Sequence, residues 1–165
     1  MKNKALSYIV VFVLMFLSFF GGSYFEKQKT KSFPVPVISP IKNTTVVKVT
    51  DGDTLKLSDG KTFRLYGVNA PEVKEPFFEE AKAFTQNLVL GKEISFEQEP
   101  NYKVDKFGRE LGYVFIDGVN LNLELVKNGL ARVVLYEKRA KIKYQDELLS
   151  AEKSAKEFKL GIWKK

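Results

Sequence analysis

The chain has 165 residues and a net charge of +7 at pH 7, from 27 Lys and Arg against 20 Asp and Glu. It holds neither cysteine nor histidine, which excludes disulfides, zinc–thiolate sites, thiol nucleophiles, Ser-His-Asp triads and imidazole bases or metal ligands. Chemistry must rest on carboxylates, Arg, Lys, hydroxyls or a cation held by oxygen, Ca²⁺ or Mg²⁺ first, and the basic surplus suits a polyanionic partner without specifying one.

Lys2 and Lys4 precede an uncharged apolar run from Ala5 to Phe25. Its length suits a helix that crosses a bilayer. A basic start and an apolar centre also suit a secretory signal, with Gly21-Gly22-Ser23 as the small-residue cleavage candidate. Residues 1–25 are therefore read as an N-terminal hydrophobic helix, either a signal peptide or a transmembrane anchor. The remainder is then exported, membrane-anchored outside the cytoplasm or secreted. Residues 26–41, with Pro34, Pro36 and Pro40 among Lys, Thr and Ser, read as a linker.

From residue 42 to 165 the pattern is that of one folded domain. Thr45–Val49 is β-branched and predicts a strand. Thr54–Leu57 and Thr62–Val68 flank an Asp59-Gly60 turn, a hairpin signal. A helix is predicted near 77–90, with Phe77, Ala81, Phe84 and Leu88 on one face and Gly91 past its end. Glu93–Glu97 and Leu111–Ile116 predict two further strands, the second followed by an Asp117-Gly118 turn. A short helix over 121–128 takes Asn120 as N-cap and ends at Gly129. A last helix over 144–158 carries the stripe Tyr144, Leu148, Ala151, Ala155 and Phe158, and Gly161 stops it. Five short strands, with a helix between the third and fourth and two more helices after the fifth, predict an α+β protein. Its core would be the five-stranded Greek-key barrel of the OB-fold, with three α-helices.

Chemically useful residues concentrate in two segments. Asp51-Gly52-Asp53-Thr54 opens the second strand, Arg64 lies inside the third, and Asn69-Ala70-Pro71-Glu72 follows its exit. Asp105-Lys106-Phe107-Gly108-Arg109 lies downstream. A phosphodiester hydrolase without histidine needs oxygens that converge on a hard cation, a carboxylate that orients or deprotonates water, and guanidinium groups that stabilise the growing phosphoryl charge. Asp53 and Asp51 could serve the cation, Glu72 the water, and Arg64 and Arg109 the phosphate. Arg suits that task because its planar fork bonds two oxygens at once. Taken singly, each part also has a plainer use. Asp-Gly-Asp can be only a turn, Arg64 can be a structural ion pair, and Lys138–Lys143 can be a solvated surface.

These motifs, in this order from about Lys42 to Trp163, resemble the staphylococcal nuclease (thermonuclease) family. The resemblance rests on Val49–Thr54, Phe63–Glu72, Asp105–Tyr113, Val119-Asn120-Leu121 with Gly129-Leu130-Ala131, and Leu160–Trp163. It implies an OB-fold domain with three helices and Ca²⁺-dependent hydrolysis of DNA and RNA that leaves 3′-phosphate ends. It further implies that Asp53 is a metal ligand, with Asp51 beside the ion. Arg64 and Arg109 would bind phosphate, Glu72 would activate water, and Ala70 would bind metal through its backbone carbonyl. Asn69 stands where the family usually has a second ligand aspartate. Its amide keeps an oxygen donor but drops a negative charge, which lowers expected Ca²⁺ affinity. The loop from Val73 to Pro76 is shorter than in the secreted staphylococcal enzyme. Phe107 and Leu135 replace tyrosines that help hold nucleotide there, with Tyr136 one position away. The leading expectation is a monomeric endonuclease acting on nucleic acid, attached to the membrane through residues 5–25 if these are retained. The alternative is a weak or silent binding module on the same barrel.

Overall fold

Alternation of apolar and polar residues builds the barrel. Lys42–Asp51 forms β1, Thr54–Leu57 β2 and Thr62–Leu65 β3. In β3, Phe63 and Leu65 are buried while Thr62 and Arg64 are not, as the two-residue period of a strand requires. β2 pairs with β1 and with β3, both antiparallel. Glu93–Gln98 (β5) adds to the other edge of β1, and Glu110–Ile116 (β6) adds to β5. β6 then closes on β3 in parallel, Arg64 opposite Leu111. This closed five-stranded barrel has the strand order expected of an OB-fold,. The computed structural model describes residues 42–136 and 139–164; the apolar run and linker expected over 1–41 lie outside the described residues.

Three two-residue strands supplement the five expected ones: Val68–Asn69 (β4), Val119–Asn120 (β7) and Arg132–Val133 (β8). The run Thr62–Val68 is not one strand. It breaks at Gly67, whose φ of +76° turns the chain,. β4 leaves the barrel there and pairs with β8, Asn69 opposite Arg132.

Three helices cover the barrel: Phe78–Val89 (α1), Leu121–Lys127 (α2) and Gln145–Glu157 (α3). In α1 the buried side is Phe78, Ala81, Thr85 and Val89. The predicted stripe was turned by one position, because Phe84 and Leu88 only pack against the margin of the core. Asn120 caps α2, accepting the Leu123 N–H at 3.3 Å. Phe158 is not part of the α3 stripe. It is 72% exposed, since the helix ends before it.

Two polar clusters fasten these layers. Asn122, fully buried, donates its amide to the carbonyls of Tyr66 (2.9 Å) and Gly112 (3.2 Å). This joins α2 to the β3–β6 closure. Glu97 and Glu99, both buried, receive the Tyr144 hydroxyl (3.0 Å) and the Tyr113 hydroxyl (2.5 Å). Lys143 pairs with Glu97 and donates its N–H to Glu99 at 3.3 Å. The segment before α3 is thereby anchored to β5.

Candidate active site

The site begins at the turn between β1 and β2. Asp51 pairs with Thr54, so Gly52 and Asp53 are the two turn residues. A Cβ on Gly52 would sit 2.7 Å from the Ala70 Cβ and 2.9 Å from the Ala81 Cβ. Only glycine lets the turn press so closely on α1 and the β4 exit. Thr85 of α1 clamps it with a 2.6 Å bond to the Gly52 carbonyl.

That pressure buries Asp53, which is 3% exposed. Its carboxylate accepts the Thr54 hydroxyl (3.1 Å) and the Ala70 N–H (2.7 Å) and pairs with Arg64. Its own N–H donates to Asp51 at 3.1 Å. Burial pushes the Asp53 carboxyl up to about 7. The Arg64 charge opposes that shift and the neighbouring Asp51 carboxylate adds to it,. Arg64 of β3 lies directly opposite Thr54 of β2. Its second amino group donates to the Asn69 side-chain oxygen at 2.8 Å. Asp51, Asp53, Arg64, Asn69 and Ala70 thus form one connected cluster at the β2–β3–β4 end of the barrel.

Arg109 reaches the same region from a tight local turn. Asp105 accepts the N–H groups of Phe107 (2.8 Å) and Arg109 (3.0 Å), and its other oxygen takes Arg109 Nε at 2.7 Å. Gly108, with φ of +78°, lets the chain reverse. Partial burial works against the Asp105 charge. The Arg109 and Phe107 hydrogen bonds prevail and hold the carboxyl below its ordinary value. Tied by Nε, Arg109 keeps both terminal amino groups without a protein partner among the described residues.

Arg64, Asn69 and Arg109 line one open cleft of about 470 Å³. Glu72 is not among its lining residues. It is exposed, three residues past Asn69, on a loop that turns through the left-handed region at Lys74 and Phe77. Only its backbone is engaged, donating to Glu75 at 2.8 Å and accepting from the Glu75 N–H at 2.9 Å. The structure therefore brings six of the seven expected residues into two adjoining arrays and leaves Glu72 at their margin.

Two cleft residues were not expected from sequence. Tyr102 and Arg139 form its far wall together with Tyr136. Arg139 lies in the stretch read as a solvated lysine-rich surface; it and Lys143 are exposed as that reading expects, but Arg139 also packs on Tyr102 and Tyr136 and Lys143 also pairs with Glu97. The available signal was a lone Arg among lysines, since guanidinium stacks on aromatic rings far better than ammonium does.

The donor set fits a hard cation. The neighbouring Asp51 carboxylate adds to the cost of ionising Asp53, which a bound cation would relieve. The Asn69 amide oxygen and the Ala70 carbonyl could complete the set. Among the described residues no group of three or more acidic or other strong ligand side chains converges, as follows from Asn in the third position.

The sequence model of the family described as staphylococcal nuclease homologue matches residues 62–165. The chain belongs to the staphylococcal nuclease family. It is 37% identical over 127 residues to the thermonuclease of Staphylococcus hyicus, covering 72% of this chain and 73% of that one. It is also 37% identical over 132 residues to endonuclease YncB of Bacillus subtilis (strain 168), covering 74% of this chain and 62% of the relative. The SPbeta prophage-derived endonuclease YokF of the same organism is 34% identical over 132 residues, 74% of this chain but 44% of its own. The chain thus spans less than two thirds of the length of the two Bacillus relatives. The family match takes in Arg64, Asn69, Glu72 and Arg109; Asp51 and Asp53 precede it.

Proposed function

We propose that this protein is an endonuclease that hydrolyses phosphodiester bonds of DNA or RNA with Ca²⁺, leaving 3′-phosphate ends. One observation carries the reading: two guanidinium groups, each oriented by an aspartate, face one cleft beside the buried Asp53 and its half-buried neighbour Asp51. The similarity to proteins named thermonuclease and endonuclease supports it. Asp51, Asp53, Asn69 and the Ala70 carbonyl would hold the cation, whose charge would stabilise the phosphate oxygens in the transition state.

The chain's own groups supply the rest. Arg109 offers its two terminal amino groups to a phosphate oxygen pair. Arg64, already oriented by Asp53 and Asn69, stabilises the negative charge that grows as water adds to phosphorus. Glu72, whose side chain has no partner among the described residues, takes the proton from that water. The bond from phosphorus to the 5′ oxygen breaks, and the leaving oxygen takes up a proton from solvent to become a 5′-hydroxyl. The protein acts outside the cytoplasm, an assignment that rests on the uncharged run Ala5 to Phe25, and it acts as a monomer.

Asn69 favours a second reading, a silent nucleic-acid-binding module, because it removes one ligand charge and its side-chain oxygen is already bonded to Arg64. Digestion of single-stranded DNA and RNA with Ca²⁺ and with EDTA separates the two. The nuclease reading expects Ca²⁺-dependent fragments with 3′-phosphate ends and a loss of about 100-fold or more in Glu72→Gln. Binding without cleavage under any divalent cation selects the silent module.

A further inference from the structure

Three guanidinium groups line the cleft, and the third is held differently. Arg64 and Arg109 are each matched by an aspartate. Arg139 has no carboxylate within ion-pair reach among the described residues. It is held instead by rings: its guanidinium lies 4.5 Å from the Tyr102 ring centroid and 4.3 Å from that of Tyr136. Tyr102 is itself stacked on Tyr66, centroids 5.9 Å apart and planes 20° from parallel. Arg139 Nη1 donates to the Tyr66 hydroxyl at 3.3 Å.

Such a cage orients the cation without neutralising it. Aromatic faces attract a guanidinium while its in-plane N–H groups remain available to an anion. Arg139 is solvent-exposed, and its segment is fastened by other bonds. Val134 donates to the Gly67 carbonyl at 3.0 Å, and Lys143 is tied to Glu97 and Glu99. Arg139 also borders a second hollow of about 330 Å³, floored by Val134, Ile142 and Gln145. Tyr66, Val134, Tyr136 and Arg139 line both spaces, so the groove continues past Arg139 away from Arg64 and Arg109.

We propose that Arg139 is a substrate-gripping residue. It holds a phosphate of the strand beyond the one gripped by Arg64 and Arg109, and it directs the chain toward the second hollow. This deepens the nuclease reading and rests on it. Single-stranded DNA of two, four and eight nucleotides would be the probe, cleaved with Ca²⁺ by the full chain and by Arg139→Ala, Arg139→Gln and Arg139→Lys. The Ala and Gln variants should raise KM for the eight-nucleotide strand about tenfold, the value of one charge-assisted hydrogen bond. The penalty should shrink as the strand shortens, with kcat changing far less than KM. The slope of log KM against log salt should fall by about 0.7, one phosphate contact on a single strand, and Arg139→Lys should restore it. An equal penalty at every length, a loss carried by kcat, or an unchanged salt slope would overturn the assignment. If the natural protein cleaves none of the strands, the nuclease reading fails by itself. Fluorescence anisotropy of the eight-nucleotide strand then decides the role of Arg139: weaker binding in Ala and Gln with rescue by Lys supports it, and no binding or no difference refutes it.

Discussion

Arg64 and Arg109 serve one cleft but are placed by opposite means. Arg64 stands mid-strand between β2 and β6, and its side chain is 15% exposed. Its partners, Asp53 and Asn69, come from a hairpin turn and from a strand outside the barrel. Arg109 is 30% exposed and takes its partner from four residues earlier in its own turn. One arginine is held by the fold, the other by its neighbours in sequence. Structure and chemistry are therefore coupled at Arg64 and separable at Arg109.

The sharpest way to break that comparison is Arg64→Ala. It removes a phosphate ligand and leaves the buried Asp53 without its counter-charge. Activity should fall by about 1,000-fold and unfolding free energy by on the order of 3 kcal/mol at pH 8. Kinetics and denaturant unfolding on the same preparation check both. Arg109→Ala should lower kcat by about 100- to 1,000-fold while stability moves by less than about 1 kcal/mol, since only a partly exposed pair within one turn is lost,. Equal stability losses in the two variants would erase the distinction.

Acidity sharpens it further. The Asp53 carboxyl titrates near 7 in the folded protein, raised from an ordinary value of 3.8. Between those values the folded state keeps a proton that the unfolded state has released. The stability this group contributes is therefore full below about pH 4 and is lost as pH rises toward 7. A cation bound to the ionised carboxylate reverses the loss. The rise in Tm on adding Ca²⁺ should be several degrees larger at pH 8 than at pH 5, and melting curves with Ca²⁺ and with EDTA measure it. A rise independent of pH would remove Asp53 from the cation site.

The smallest effect expected is at Asn69. Asn69→Asp adds a ligand charge and gives Arg64 a second anionic partner, so the Ca²⁺ concentration for half-maximal activity should drop about tenfold with little change in stability. An unchanged Ca²⁺ requirement would show that Asn69 does not limit cation binding.

Much of the fold was legible in local patterns, for reasons specific to each element. The Asp59-Gly60 and Asp117-Gly118 turns do have glycines at positive φ, and Asn120 does cap α2. These features depend only on a few adjacent residues. The errors lie where a distant contact decides. Phe84 and Leu88 were placed on the buried face of α1 because periodicity ranks them with the core, yet Thr85 is buried in order to clamp Gly52. No local pattern singles out Asn122, whose amide bridges two carbonyls 10 and 56 positions away. Arg139 was hidden in a basic run until the fold brought Tyr66 and Tyr102 to it.

The sequence alone determined the reagents: no thiol, no imidazole, paired aspartates, two arginines in separate motifs, and a barrel-forming order of strands. Those follow from residue types and short spacings, which act before the chain folds. Only the tertiary structure decided that Asp53 is buried and raised in pKa, that Arg64 belongs to it, and that a third guanidinium faces the cleft. Each of these depends on barrel closure, because desolvation and charge pairing act through space among groups brought together from distant parts of the chain.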